Sequence, residues 1–329
     1  MASRITSKNP EKYEEDYDPD KDTRPYTVYR NDIKYRNHND IDISRAEFEN
    51  NDVRRDFLNG DTDTIEYRII ECFRENFQVM DLSHMEPDVF DKLITHDVFD
   101  KIASKIEVVS ANDCGIETLP DLSSFTNLIS LNIGDNNLKN LPKLPDSLEE
   151  LIIDNNQIQT IPYLRRLKRL RARNNDIRRI HYTETMESLT LTGNRGLSEL
   201  AELPRLYHLE VGNTRVSDIP MCTNLKYLDL EETDVEVLPD LPHLHILTCV
   251  RSKLFDISNL RNLYCLVATD SKVRRIHYME TLQKFTYNSK HQNEIRLSKR
   301  YRACRIFKNK NNVIDVLFKE NPMPVNVMS

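Results

Sequence analysis

The sequence has few glycines, no tryptophan and widely spaced cysteines, and these shortages exclude several classes of protein. With six glycines in 329 residues, the chain lacks a glycine-rich phosphate-binding loop, and the G-x-S-x-G and H-E-x-x-H signatures of common hydrolases are also absent. Its six cysteines form no C-x-x-C pair and no cluster. We therefore expect no catalytic centre, no cofactor, no metal site and no disulfide framework.

Long apolar runs are missing as well. No stretch approaches the roughly 20 apolar residues that a membrane-spanning helix needs. Residues 1–8 contain no apolar core of the kind that a secretory signal has. The formal net charge of −7 argues against nucleic-acid binding by the chain as a whole. These features predict an intracellular, cytoplasmic protein without a membrane span.

What the chain does have is a spacing. The frame L-x-x-L-x-L-x-x-N-x-L returns every 19 to 22 residues, most clearly at 128–141. Because apolar residues alternate within each copy, each copy predicts a short, half-buried strand. Regular copies predict a solenoid of stacked units. The first frame position is occupied by Ile106, Leu128, Leu148, Leu167, Met186, Leu206, Leu225, Leu244, Leu263 and Leu282.

The polar position of the frame changes along the chain. Asparagine in the first half gives way to hydroxyl side chains in the second half, and a hydroxyl has one donor where an amide has two. Lysine occupies the last copy, and because a lysine cannot be buried unpaired, the ladder should end there. The residues at this position are Cys114, Asn136, Asn156, Asn175, Asn194, Thr214, Thr233, Ser252, Ser271 and Lys290.

This frame resembles that of the leucine-rich repeat family, and the copy at 141–151 resembles the short repeat type of secreted bacterial effectors. The resemblance implies an α/β solenoid, or horseshoe, with a parallel β-sheet on its concave face. Prolines recur between the predicted strands, as at Pro142, Pro162, Pro220 and Pro239. Since proline removes a donor and fixes φ, the convex side should be extended or polyproline-like.

The organisation predicted along the chain has four parts: a charged flexible arm (1–60), a helical N-terminal cap with an atypical first repeat (61–105), about ten leucine-rich repeats (106–290), and a basic C-terminal cap or tail (291–329). Within the arm, 24–30 is rich in strand-favouring residues; it could order on a partner or on the edge of this solenoid. Four-residue steps indicate an amphipathic capping helix, through Ile65, Ile69, Phe73 and Phe77.

The C-terminal cap is expected to be helical. Residues 290–310 hold eight basic side chains and one acid, Glu294. Leu297, Tyr301, Cys304 and Phe307 fall on one face of a helix. The basic side chains are either the solvated face of this cap or a surface for an acidic partner, a nucleic acid or an anionic lipid.

In the resembled family, the variable residues of the strands face the concave side. Here these positions change from mixed charge to apolar along the chain, which is typical of a protein-binding surface. The candidate partner-binding residues are Arg169, Arg171, Arg173, His208, Glu210, Tyr227, Asp229, Glu231, Ile246, Val250 and Val267.

The sequence therefore favours a non-enzymatic interaction scaffold that binds a protein partner through the concave face and the termini. Two alternatives stay open. The charged arm and basic tail would suit a structural subunit of a large assembly, such as a viral capsid, and the chain would then be virion-associated. The short repeats would suit an adaptor or a secreted effector.

Overall fold

The structure, a computed structural model, describes residues 64–74, 78–181, 183–288, 290, 294–300, 303–308 and 313–318. The chain divides into two units, 1–47 and 48–329, and every described residue belongs to the second. The predicted arm, with its strand-like stretch 24–30, lies outside the described residues. None of the described helices has the length and hydropathy needed to cross a bilayer.

The N-terminal end of the solenoid is helical, as the apolar spacing predicts. Helix α1 (Ile65–Arg74) contacts strand β1 (Val79–Asp81), and α2 (Val89–Ile94) and α3 (Phe99–Ile102) follow. The Thr64 hydroxyl accepts a hydrogen bond from the Tyr67 amide at 3.2 Å, which caps the first turn of α1. Strand β1 lies within the segment predicted as an atypical first repeat, and Phe77 lies outside the described residues.

Nine further strands of three residues follow, one in each repeat, and each pairs in parallel with the strand that precedes it in the chain. The central residue of each strand is buried, for example Leu131, Leu170 and Leu247 at 1% exposure or less. The strands are β2 (Val108–Ser110), β3 (Ser130–Asn132), β4 (Glu150–Ile152), β5 (Arg169–Arg171), β6 (Ser188–Thr190), β7 (His208–Glu210), β8 (Tyr227–Asp229), β9 (Ile246–Thr248) and β10 (Cys265–Val267).

The buried asparagines tie neighbouring repeats together. The Asn136 Nδ2 donates to Ala111 of the preceding repeat at 2.8 Å, and its Oδ1 accepts from the Cys114 and Ile116 amides. The hydroxyls that take over this position bond within their own repeat, as Thr233 does to the Leu230 carbonyl at 2.9 Å. The predicted change from amide to hydroxyl is thus a change from bonds between repeats to bonds within one.

A left-handed residue precedes the polar ladder position in successive repeats. Asparagine, aspartate or glycine usually occupies it, since these residues tolerate positive φ. At Gly193 a Cβ would lie 2.2 Å from the Asn174 Oδ1, so no other residue fits without displacing that side chain. Glu232 and Arg251 adopt the same conformation at φ 52° and 49°, and their side chains form an ion pair.

The convex segments between strands β2 and β10 contain no helix among the described residues, in agreement with the proline pattern. The backbone pairing between neighbouring convex segments extends over one or two residues only where it is described. Arg179 bridges to Glu199 and Val237 to Asp256, and a two-residue strand β11 (Arg275–Ile276) pairs in parallel with β13 (Arg296–Leu297).

The C-terminal end differs from expectation, and the predicted helical cap is wrong. Strand β12 (Lys284–Asn288) is the last parallel strand of the main sheet, and β15 (Val313–Phe318) pairs antiparallel with it and with β14 (Ala303–Lys308). Along β15, buried residues alternate with half-buried ones, a period of two that suits a strand. A strand also satisfies the open backbone groups of β12, which a helix would leave unpaired. Lys290 is exposed and pairs with Asp270, so the ladder ends there as predicted.

Candidate partner-binding surface

Parallel pairing aligns the outward-facing residues of the sheet in three rows. One row contains Glu150, Arg169, Ser188, His208, Tyr227, Ile246 and Cys265. The next contains Ile152, Arg171, Thr190, Glu210, Asp229, Thr248 and Val267. Backbone hydrogen bonds continue the pairing to a third, with Asp154, Arg173, Thr192, Gly212, Glu231 and Val250. All the predicted binding residues therefore lie on the same face.

The arginines on this face are paired with acids of neighbouring strands. Arg169 contacts Glu150 at 3.2 Å, and Arg171 contacts Asp154 at 2.8 Å. The acids are nearly covered, with side chains 5% and 10% exposed, whereas the two arginines keep 35% and 47% of their surface. The mixed charge predicted for these repeats is consequently neutralised within the protein, with the guanidinium groups outermost.

A further ion pair crosses strand β6 and joins residues of two repeats that are not adjacent. The Arg173 guanidinium reaches Glu210 at 2.7 Å, over the short side chains of Thr190 and Thr192. The other Glu210 oxygen lies 2.9 Å from the His208 Nε2. Burial acts to raise the pKa of Glu210, but the hydrogen bonds from His208 and Arg173 outweigh it and hold the pKa below its usual value. Glu210 is therefore ionised at neutral pH.

Asp229, beside Glu210 on the next strand, is in a different state. Burial raises its pKa to about 6, and the nearby charges of Glu210 and Glu231 act in the same direction. One of its oxygens accepts the Glu231 amide hydrogen at 2.9 Å. Within the described part of the chain Asp229 forms no ion pair, so this carboxyl titrates close to neutrality.

Aromatic and apolar side chains occupy the C-terminal half of the face. The Tyr227 ring stacks on His208 with centroids 4.5 Å apart and an angle of 6° between the planes. Beyond it lie Ile246, Val250 and Val267, all half-buried and uncharged. Burial raises the pKa of the neighbouring Cys265 thiol, which favours its neutral form.

Sequence reasoning missed Arg251, which binds both Glu231 and Glu232. It also missed that the other arginines are already paired. One repeat separates Arg251 from Glu232, as it separates Arg169 from Glu150. Opposite charges at this offset meet across neighbouring strands, and this is the signal that could have found the pairs.

The described residues contain no group of three or more histidine, cysteine or acidic side chains that could hold a metal ion. His243 and His245, which flank the entry to β9, are both exposed.

Comparison with known proteins places the fold. No protein-family model matches the chain, and no curated protein sequence matches it. Among solved structures, it is similar to YopM, a leucine-rich effector protein from Yersinia pestis, with 26% identity and a TM-score of 0.54 over 63% of this chain and 58% of that one. It is also similar to the APL1 leucine-rich repeat domain, with 21% identity and a TM-score of 0.53 over 66% of this chain and 61% of that one.

A third structure, the leucine-rich repeat domain of APL1B, has 12% identity and a TM-score of 0.51, and the match covers 74% of this chain and 95% of that domain. The stacked turns, the run of parallel strands β1 to β10 and these likenesses agree. The chain has the leucine-rich repeat fold, a fold generally associated with protein interaction. The match to the Yersinia effector spans little more than half of that protein, so it defines the solenoid and no more.

Proposed function

We propose that this chain is a non-enzymatic interaction protein that binds a protein partner on the outward face of strands β4 to β10. The observation that supports this most directly is the composition of that face. Half-buried apolar side chains, Ile246, Val250 and Val267, lie beside aromatic and charged ones. An apolar centre with a polar rim is the arrangement of protein interfaces.

The compartment we propose is the inside of a cell. Among the described residues, Cys114, Cys222 and Cys249 are free and buried. Free thiols persist where the environment is reducing. A short-repeat effector that acts inside a host cell is a second candidate, and the likeness to the Yersinia effector favours it.

The test is affinity capture with the tagged full-length chain and quantitative mass spectrometry. Arg171→Glu and Asp229→Lys reverse charge on the outward face. Lys143→Glu and Asp240→Lys reverse charge at exposed positions outside the strands and serve as controls. We expect wild type and the two control variants to capture the same partners in equal amounts. The two face variants should capture at least tenfold less of those partners.

Thermal unfolding must show that each variant is folded, because Arg171→Glu also places a second acid beside Asp154. Partners captured equally by the face variants would exclude this surface. Parallel extracts from the source organism and from a eukaryotic host would separate the two candidates, since an effector should capture partners only from the host.

A further inference from the structure

The outward positions of β9 and β10 form an uncharged patch. We define the apolar strip as Ile246, Val250, Cys265 and Val267; Thr248 and Thr269 complete its surface, and all six are half-buried. Outward residues along a strand are spaced roughly 7 Å apart, and neighbouring strands roughly 5 Å. The strip is thus long enough for three or four residues of an extended segment.

The two sides of the strip differ in charge. On the β8 side lie the Asp229 and Glu231 carboxylates. On the β12 side, the exposed Lys284 is aligned with Cys265, and the Asp315 carboxylate of β15 accepts a hydrogen bond from the Thr286 hydroxyl. A positive side chain of a bound segment would be attracted toward Asp229 and repelled by Lys284.

The cations nearest to Asp229 are engaged elsewhere. Arg173 is bound to Glu210 at 2.7 Å, and Arg251 is bound to Glu231 and Glu232. Asp229 receives one backbone hydrogen bond, from Glu231. Its charge is thus the least compensated on this side of the strip, and Tyr227 supplies an adjacent ring over which a guanidinium can lie.

From this placement we propose that the apolar strip docks a segment of a protein partner that carries an apolar side chain next to a lysine or arginine. The apolar side chain lies on Ile246 and Val267, and the basic group pairs with Asp229. This inference rests on the proposed function, because it names the chemistry of the partner on the same face.

Binding of such a segment is linked to protonation of Asp229. A cation beside the carboxylate lowers its pKa from about 6, so the bound form is ionised where the free form is partly protonated. Affinity should rise by about tenfold from pH 5 to pH 7.5. The facing charged groups are Glu210, Arg173 and His208 toward β5 and β7, Glu231 and Glu232 beyond the end of β8, and Arg251 beyond the end of β9.

The experiment is selection of a displayed random library of 12-residue peptides against the full-length chain at pH 7.5. Dissociation constants of the enriched peptides are then measured for wild type and variants. Asp229→Asn removes the charge and keeps the shape, and Asp240→Asn is its control at an exposed position outside the strands. Val267→Glu places a charge on the apolar strip.

We expect enriched peptides that share a lysine or arginine next to an apolar residue. Their binding should weaken at least tenfold with Asp229→Asn and with Val267→Glu, should be unchanged by Asp240→Asn, and should weaken at pH 5. For Asp229→Asn, the remaining binding should no longer depend on pH between 5 and 7.5.

Failure of this inference and failure of the proposed function would give different results. This inference would be overturned by peptides that lack a basic residue although Val267→Glu abolishes their binding. It would also be overturned by peptides that bind Asp229→Asn as tightly as wild type. Either result would leave the proposed binding face in place. Peptides whose binding Val267→Glu leaves unchanged bind away from the apolar strip and would overturn the inference, whereas the proposed function is overturned by the capture experiment, if the two face variants capture partners as wild type does. Recovery of no binding peptide would overturn the inference, because a site for a short segment must accept some members of the library.

Discussion

A single buried polar side chain in each repeat adds to the backbone hydrogen bonds that join neighbouring repeats, and its contribution differs along the chain. Asn175 donates to the Ile153 and Arg173 carbonyls at 2.8 and 3.0 Å and accepts the Ile158 amide. The Thr233 hydroxyl donates to the Leu230 carbonyl of its own repeat. Because unsatisfied buried backbone groups cost more than a lost hydrogen bond, these two positions should differ in sensitivity.

We expect Asn175→Ala to lower the free energy of unfolding by about 3 kcal/mol or more, and Thr233→Ala by about 1 kcal/mol. Equilibrium urea denaturation of both variants beside wild type measures the difference. Equal losses at the two positions would mean that water replaces the amide at Asn175, and that the ladder does not join the repeats.

At the residue scale, Asp229 makes the free energy of unfolding depend on pH. Its pKa of about 6 lies above the value of roughly 3.9 for an unfolded aspartate, so the folded chain binds more protons between those two pH values. Its contribution to stability is therefore intact below pH 4 and is lost as the pH rises through 6.

Asp229→Asn should remove that loss. We expect the variant to match wild type near pH 4 and to be more stable at pH 7, by at most about 2 kcal/mol once solvent screening is allowed for. Thermal unfolding of the two proteins at pH 4, 5, 6 and 7 tests this. Glu210, whose lowered pKa gives stability the opposite dependence on pH, is present in both proteins, so the comparison removes the part of its effect that does not depend on the Asp229 charge. A difference independent of pH would be a packing effect.

At the scale of elements, the C-terminal hairpin of β14 and β15 closes the sheet. Ile314, Val316 and Phe318 are 3%, 3% and 7% exposed and extend the core beyond Phe285 of β12. Leu317 lies on the opposite face of β15 and is half-buried. The hairpin should therefore depend on one face of β15 only.

Val316→Ala and Leu317→Ala provide a matched pair on adjacent residues. We expect the first to cost about 1–2 kcal/mol and the second less than about 1 kcal/mol, although it removes more atoms, because only the first leaves a cavity in the core. Urea denaturation gives both values. A larger effect of Leu317→Ala would indicate that the outward face of β15 is covered.

The strands and the N-terminal helices could be predicted because the apolar residues of each element recur at the spacing of that element alone. The C-terminal hairpin could not, because Leu297, Tyr301, Cys304 and Phe307 also fit a helical face, and pairing with β12 decided between the two. The outward positions of residues such as Arg171 and Asp229 could be predicted from the repeat frame. Their pairing and the raised pKa of Asp229 did not, because both depend on distances across strands.

At the scale of the whole repeat array, each turn contacts its neighbours in the chain, so stability is approximately a sum of local terms. The asparagine-linked strands β3 to β6 should then open less often than the hydroxyl-linked strands β7 to β10. The two groups are otherwise alike, since the same backbone hydrogen bonds recur in both.

Hydrogen exchange measures this directly. The amides of Ile133, Ile153 and Ala172 bond to the next strand in the same way as those of Leu230, Cys249 and Ala268. We expect slower exchange in the first set under native conditions. Slower exchange in the second set would mean that the C-terminal hairpin, rather than the polar ladder, controls opening.

Both ends of the repeat sheet are covered, by α1 at β1 and by the hairpin at β12. A gene encoding such a chain cannot gain repeats at either margin without losing a cap, so changes in length must arise from within the array. The octapeptide at 178–185 returns at 274–281 with one substitution, Thr183 against Met279. Thr185 and Thr281 even donate to equivalent carbonyls, Leu167 and Leu263. Such a pair is the trace that an internal duplication of whole repeats would leave.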